Sequence, residues 1–423
     1  MVKLYMTEFV DDSTQTAEPH SLVESHFPGK VPATAALRVL LSHAGVRAPH
    51  TSAPFSEAML FGIAGGIGIG VFSYSYGKEN FASFYLAGRH QWHDDLVYLK
   101  DALGAFGLAP ELRETTGPKT AAWQLHQAIA QHGPCIAWVD MASLPHRGMP
   151  EALRGTTYHV ITVYEFDEQK EFAQIGDLAR TPIAISQKDL EAARARIRKQ
   201  RFRLMWIQPD GSPQFDLRVR VEDGLRRCRD GILNPTLRGV KNNAKLEAIE
   251  TWGERLTNAD DPHGWPQTFR PGANLWRALN SVYDFIEDYG TGGGLCRPLF
   301  AEFLEEAAAA VPWPALKDLA GQYRELGRGW SELADRALPS AVPAFRKSKE
   351  LRRQLAELRE RAAPAAEVRV VSQKLDDLER EASADFPVAA DSCPGLFAGL
   401  KARVRSLHAG EAAALVTLTK LLG

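Results

Sequence analysis

Residues 158–177 read YHVITVYEFDEQKEFAQIGD. Two runs rich in Val, Ile, Tyr and Phe flank the polar stretch DEQK at 167–170. Such runs around a short polar turn predict paired antiparallel strands, here 158–166 and 171–177. His159 opens the first strand and Asp177 ends the second. Pairing through the turn brings both to one end of a sheet. A carboxylate there fixes a histidine's tautomer and supports its imidazolium. The bland counterpart is a histidine–aspartate bond that only ties a sheet edge.

Working outward, CIAWVD (135–140) and FRLMWIQ (202–208) are two further strands. Helices are expected at 32–45, 56–62, 94–107, 118–133 and 186–200. Each has an apolar stripe or clear end signals, such as Pro32 and Pro118 at starts, Ser56 and Ser186 as caps, and Gly45 and Gly133 at stops. VFSYSYG, from residue 71, reads as a strand. Helices come first and mostly antiparallel strands follow, which is an α+β layout, not alternating βαβ units. The first ~30 residues read as irregular.

Strand signals fade after PDGSPQFD (209–216). Amphipathic helices are expected across 217–340, then a charged helical stretch at 345–384 broken near Pro364, then a helix pair at 394–422. The expected domains are 1–210, mixed; 211–340, helical; and 341–423, a helical extension. Trp252, Trp265, Trp276 and Trp330 supply apolar area for helix packing.

The chain has 423 residues, 45% of them apolar and 24% charged, as in a soluble globular protein. Its 50 basic and 52 acidic residues leave a formal net charge of −2, which argues against a nucleic-acid partner. No secretory signal and no bilayer-spanning run is visible, so a cytoplasmic protein without membrane association is expected. Cys135, Cys228, Cys296 and Cys393 are scattered and suggest neither a disulfide framework nor a zinc site. His90, His93, Asp94 and Asp95 have ligand chemistry, but no further ligand motif accompanies them. The simpler reading is a solvated helix N-terminus, and no metal or cofactor is expected.

FGIAGGIGIGVF (61–72) invites comparison with a phosphate loop. Gly66-Ile67-Gly68 begins the dinucleotide pattern, but Val71 stands at its third required glycine. A helix precedes the run, and no Lys-Ser/Thr follows. Close backbone packing is the expected role. A second glycine-rich turn, YGTGGGLCR (289–297), opens a helix and could lie near a pocket with Arg297 as an anion contact.

GKVPATAALRVLLSHAG, FSEAMLFGIAGGIGIG, GPCIAWVDMASLPH, YHVITVYEFDEQ and IGD together resemble the N-terminal domain of the butirosin biosynthesis protein H family. Residues 264–308 and 323–335 resemble the helical domain that often follows it. The resemblance spans most of 28–336. It implies a papain-like cysteine-peptidase fold and transfer of an acyl group from a carrier protein to an amine. By resemblance His159 is the catalytic histidine and Asp177 its partner. Family members carry His-Cys before the first helix, as in GKHC, whereas this chain has GKVP, with Val31 and Pro32 in those places.

Proline is no nucleophile. Either a cysteine comes from elsewhere, or Thr34 or Cys135 acts, or no covalent acyl transfer occurs. The expected function is acyl transfer, amide or ester formation, or cyclisation in natural-product biosynthesis without the usual cysteine. The alternative is a non-catalytic scaffold that binds a carrier protein or acyl intermediate. The catalytic candidates are His159, Asp177 and Thr34, and the substrate-contact candidates are Glu57, Gly65, Gly66, Asp140 and Arg297. The implied partners are an acyl carrier protein or acyl thioester and a small-molecule acceptor. The charged helices after 345 either pair with a second copy, giving a homodimer, or pack as a lid.

Overall fold

A computed structural model describes residues 26–76, 81–167, 169–208, 214–235, 237 and 239–423. The irregular start expected of the first ~30 residues falls, up to residue 25, outside the described residues, and so does the 210/211 boundary. The chain runs α1 (Pro32–His43), α2 (Glu57–Ile63), β1 (Ile67–Tyr76), β2 (Phe81–Arg89), α3 (Asp95–Gly104), β3 (Glu111–Arg113), α4 (Pro118–His132) and β4 (Cys135–Asp140). Then come β5 (Tyr158–Asp167), β6 (Phe172–Gly176), β7 (Ile183–Ser186), α5 (Gln187–Arg196) and β8 (Leu204–Trp206). Helices follow: α6 (Leu217–Leu233), α7 (Glu247–Arg255), α8 (Trp265–Thr268), α9 (Ala273–Glu287), α10 (Arg297–Ala310), α11 (Leu316–Ala337), α12 (Pro343–Glu360), α13 (Ala365–Ala384) and α14 (Cys393–Leu422).

The architecture is α+β, as the element order predicts. Six antiparallel strands form one sheet in the order β3-β8-β4-β5-β6-β7. Strand alternation explains the unbroken apolar runs, because both faces of the sheet are covered. Ile136, Trp138 and Val160 join the core that includes Leu37 and Leu40 of α1. Cys135, Ala137, Val139, Ile161 and Val163 join a second core with Leu125 and Ile129 of α4 and Leu190 and Ala193 of α5. β1 and β2 form a separate hairpin whose second strand packs on α9. The strands expected from sequence do not include β2, β3 or β7.

The glycine run makes close contacts throughout. Gly65 (φ 108°) and Gly66 (φ 60°) turn the chain from α2 into β1 in a backbone region that side chains disfavour. A Cβ on Gly66 would lie 2.4 Å from the Phe300 ring, and one on Gly62 would lie 2.1 Å from Phe303. α6 crosses α2 at Gly224, where a Cβ would lie 2.3 Å from the Gly62 carbonyl.

The expected helix pair at 394–422 is instead one 30-residue helix, α14. Phe397, Leu400, Val404, Leu407, Glu411, Leu415 and Leu418 face inward at helical spacing. Gly410 does not stop it; its bare α-carbon admits Leu326 of α11, which a Cβ would meet at 2.9 Å.

One apolar cluster includes residues from Val31 to Leu422. At its centre Arg297 and Glu411 form an ion pair of 2.7 Å, both essentially without solvent exposure. Arg297 also donates to the carbonyls of Gly68, Gly88 and Leu295, and the Trp330 indole donates to Glu411. The hairpin, the glycine-rich turn, α11 and α14 therefore meet at one guanidinium. Removing one partner of a buried pair leaves the other charge uncompensated. Glu411→Ala is expected to lower unfolding free energy in urea by about 3–5 kcal/mol, and Arg297→Met with Glu411→Leu by clearly less. Gly224→Ala is expected to cost about 1–3 kcal/mol in the same assay. Gly104→Ala, where no atom lies within 4 Å of an added Cβ, is expected to cost nothing.

Candidate functional site

α1 begins with Pro32 at its first position, and its N-cap residue, Val31, offers no side-chain cap. Glu57 replaces that cap from the neighbouring helix. Its carboxylate accepts from the Lys30 amide at 2.9 Å and the Val31 amide at 2.8 Å. Burial pushes the Glu57 carboxyl upward, and these two amides oppose the rise. Glu57 is thus committed to shaping the chain ahead of α1.

Pro32, Ala35 and Ala36 form one wall of a narrow crevice, and Val160, Tyr164 and Asp177 belong to the facing wall. The glycine-rich turn covers the start of α1. A Cβ on Gly290 would lie 2.9 Å from Pro32, and one on Gly292 would lie 2.7 Å from Lys30. The turn expected near a pocket does lie beside the crevice. Arg297 does not reach it, being enclosed by Glu411 and three carbonyls.

The sheet brings His159 and Asp177 together, with Nε2 of His159 2.8 Å from Oδ1 of Asp177. A second histidine shares the carboxylate: Nε2 of His146 lies 2.7 Å from Oδ2. Arg147 stands 3.7 Å from Oδ1. All four side chains are buried, and that of Asp177 completely. Burial alone would raise the Asp177 carboxyl. His159, Arg147 and His146 overcome it and hold the group well below the usual carboxylate range. With the aspartate ionised, each imidazole donates from Nε2. His146 is itself shifted downward by burial, against the pull of Asp177.

Alternation turns His159 toward Ile161 and Val163, on the α5 face, while Val160, Thr162 and Tyr164 face α1. Asp177 is shared by the two settings, since it bonds both histidines and also lines the crevice. Asp140 ends β4 nearby and accepts from Ser143 and Thr157, closing the base of the loop that carries His146.

The remaining candidates lie elsewhere. Thr34 is fully buried, 2.8 Å from the Tyr98 hydroxyl, and is not part of the crevice wall. Gly65 and Gly66 pack on His90 and Phe300. Burial pushes the thiols of Cys135, Cys228 and Cys296 up to about 12 and raises that of Cys393 as well, so none is poised as a thiolate. Asp94 caps α3 and Asp95 pairs with Arg89, but His90 is packed against Gly65 and Gly231 instead of being solvated. Among the described residues no group of three or more His, Cys, Asp or Glu is placed to hold a metal ion. No described helix is long and apolar enough to cross a membrane. His146 and Arg147 are not among the sequence candidates. Their only local signal is Pro145 before them and Gly148 after, which mark a tight turn.

Residues 32–178 match the family model described as butirosin biosynthesis protein H, N-terminal. Residues 188–368 match a domain of unknown function, DUF4872. No curated protein matches the chain.

Buried neutral histidines make the fold acid-sensitive. His90 is pushed from 6.5 down to about 4, first by burial and then by Arg89 and Arg227. His26 and His146 are also lowered by burial. A lowered histidine favours the fold fully above its unfolded value, and that stability is lost as pH falls toward the folded value. Between pH 6.5 and about pH 4.5, His90 alone is expected to remove about 2–3 kcal/mol. Urea unfolding at about pH 7 and pH 4.5 checks this, with His90→Gln losing less than wild type by about that amount.

Proposed function

We propose, from the premise that residues 32–178 are a papain-like butirosin biosynthesis protein H N-terminal domain, that this chain transfers an acyl group without forming an acyl-enzyme. The observation that carries the reading is the His159–Asp177 bond of 2.8 Å, kept where the start of α1 offers Pro32 in place of a thiol. The acyl donor is a thioester, on a carrier protein or free, and the acceptor is a small-molecule amine or hydroxyl. His159 donates Nε2–H to the ionised Asp177, which leaves Nδ1 as the base. As the acceptor's nitrogen or oxygen attacks the carbonyl carbon, its proton passes to Nδ1. The tetrahedral adduct collapses, the carbon–sulfur bond breaks, and the proton leaves with the thiol. An intramolecular acceptor would make the same chemistry a cyclisation.

A second reading is a scaffold that binds the carrier or acyl intermediate without chemistry. The burial of all four cysteines supports it. One assay separates the two. Purified protein is incubated with acyl-carrier thioesters and amine acceptors, and product is followed by mass spectrometry. Wild type is expected to form amide or ester without a protein-bound acyl group, and His159→Gln to lose about 10²-fold or more in rate. Thr34→Ala and Cys135→Ala are expected to keep activity. Turnover unchanged in His159→Gln refutes the general base. A stable complex with carrier but no turnover favours the scaffold, and an acyl adduct on Thr34 or Cys135 restores nucleophilic catalysis.

A further inference from the structure

His159 and His146 occupy different oxygens of one carboxylate, 2.8 and 2.7 Å away. The first comes from a strand, where the sheet fixes it. The second comes from the turn Pro145–Arg147, which has no ladder to hold it. Asp140 ties the base of its loop through Ser143, Thr157 and the Thr157 amide. The outer side is held by the helical region. Arg359, on the last turn of α12, donates Nε to the Arg147 carbonyl at 2.8 Å and pairs with Asp288 at 2.6 Å. Ser372 of α13 donates to the Gly148 carbonyl at 2.7 Å. The next residue of α12, Glu360, accepts from the Arg180 amide at 2.7 Å and pairs with its guanidinium. Arg180 lies three residues past Asp177, so the end of α12 grips the chain on both sides of the cluster.

We infer that His146 is a positioning residue for His159, acting through Asp177, and that the end of α12 holds it in register. This rests on the proposed role of His159 for its catalytic meaning, but the geometry is testable without that role. By donating to Oδ2, His146 fixes the carboxylate plane and draws off part of its charge, so less of that charge falls on His159. The charged and titratable groups around the cluster are Arg147 on the turn, Asp140 on β4, Arg180 beyond β6, and Arg359 and Glu360 on α12 with Asp288. Arg180, Glu360, Arg359 and Asp288 are paired among themselves, which leaves Arg147 as the fixed charge facing Asp177.

The test is imidazole nitrogen NMR on histidine-labelled full-length protein, with His146→Leu and His146→Gln. His159→Gln assigns the His159 signals. In wild type both rings are expected to carry the proton on Nε2. His146→Leu removes a donor, so the carboxylate leans harder on His159, whose imidazolium pKa is expected to rise by about half a unit or more. His146→Gln restores an N–H and is expected to stay near wild type. Arg359→Met leaves the ring chemistry intact and is expected to shift His159 in the same direction as Leu. It serves if His146→Leu does not fold. An unchanged His159 pKa in a folded His146→Leu or Arg359→Met protein overturns the inference, as does a wild-type His146 carrying its proton on Nδ1 alone. In the acyl-transfer assay the acidic limb of the pH–rate profile is expected to move with the NMR value. An NMR shift without turnover leaves the positioning role standing and removes the proposed reaction.

Discussion

The structure depends on a charge that has no access to water. Arg297 is enclosed between the hairpin of β1 and β2, the glycine-rich turn and two helices, and Glu411 neutralises it from 114 residues away. Burying a guanidinium in an apolar core is unfavourable unless its donors are met. Here three backbone carbonyls and one carboxylate take four of its five N–H groups. Two of those carbonyls belong to Gly68 and Gly88, whose close neighbours leave no room for side chains. The glycine run and the C-terminal helix are therefore two halves of one constraint, since the first brings bare backbone to the charge and the second supplies the counter-charge.

Much of the sheet and the His159–Asp177 pair were legible in the chain. β5 and β6 declare themselves by β-branched runs around a polar turn, and their register puts His159 and Asp177 at one end whatever the rest does. Packing of the glycine run was legible too, because its spacing fails every phosphate loop. What sequence reasoning missed is set by distant partners. Nothing local distinguishes Arg297 as an anion contact from Arg297 as a buried ion. Thr34 stands in the first turn of α1, but its direction is fixed by Tyr98 on α3. His146 sits in a short turn with no periodicity, 31 residues from its carboxylate. Gly410 lies within the single helix α14, where its bare α-carbon admits Leu326 from another helix.

The histidine–aspartate cluster also draws on both matched segments. His146, His159 and Asp177 lie within residues 32–178, whereas Arg359 and Glu360 lie within 188–368. The clamp joins them through backbone carbonyls and amides as much as through charge. Such contacts tolerate side-chain change on the turn itself but not displacement of α12. The helical region is in this sense part of the wall of the site.

Glu57 has a consequence for how such a domain can change over time. The chain ahead of α1 is held by a carboxylate from another helix and by the Gly29 amide on the Leu178 carbonyl, not by the side chains at positions 31 and 32. Their side chains give the helix start no cap hydrogen bond, and proline suits the first turn. A domain of this kind can therefore change the side chains at 31 and 32 and keep its helix start as a scaffold. Selection on that scaffold then acts on whatever the remaining histidines, the crevice and the covering turn still do.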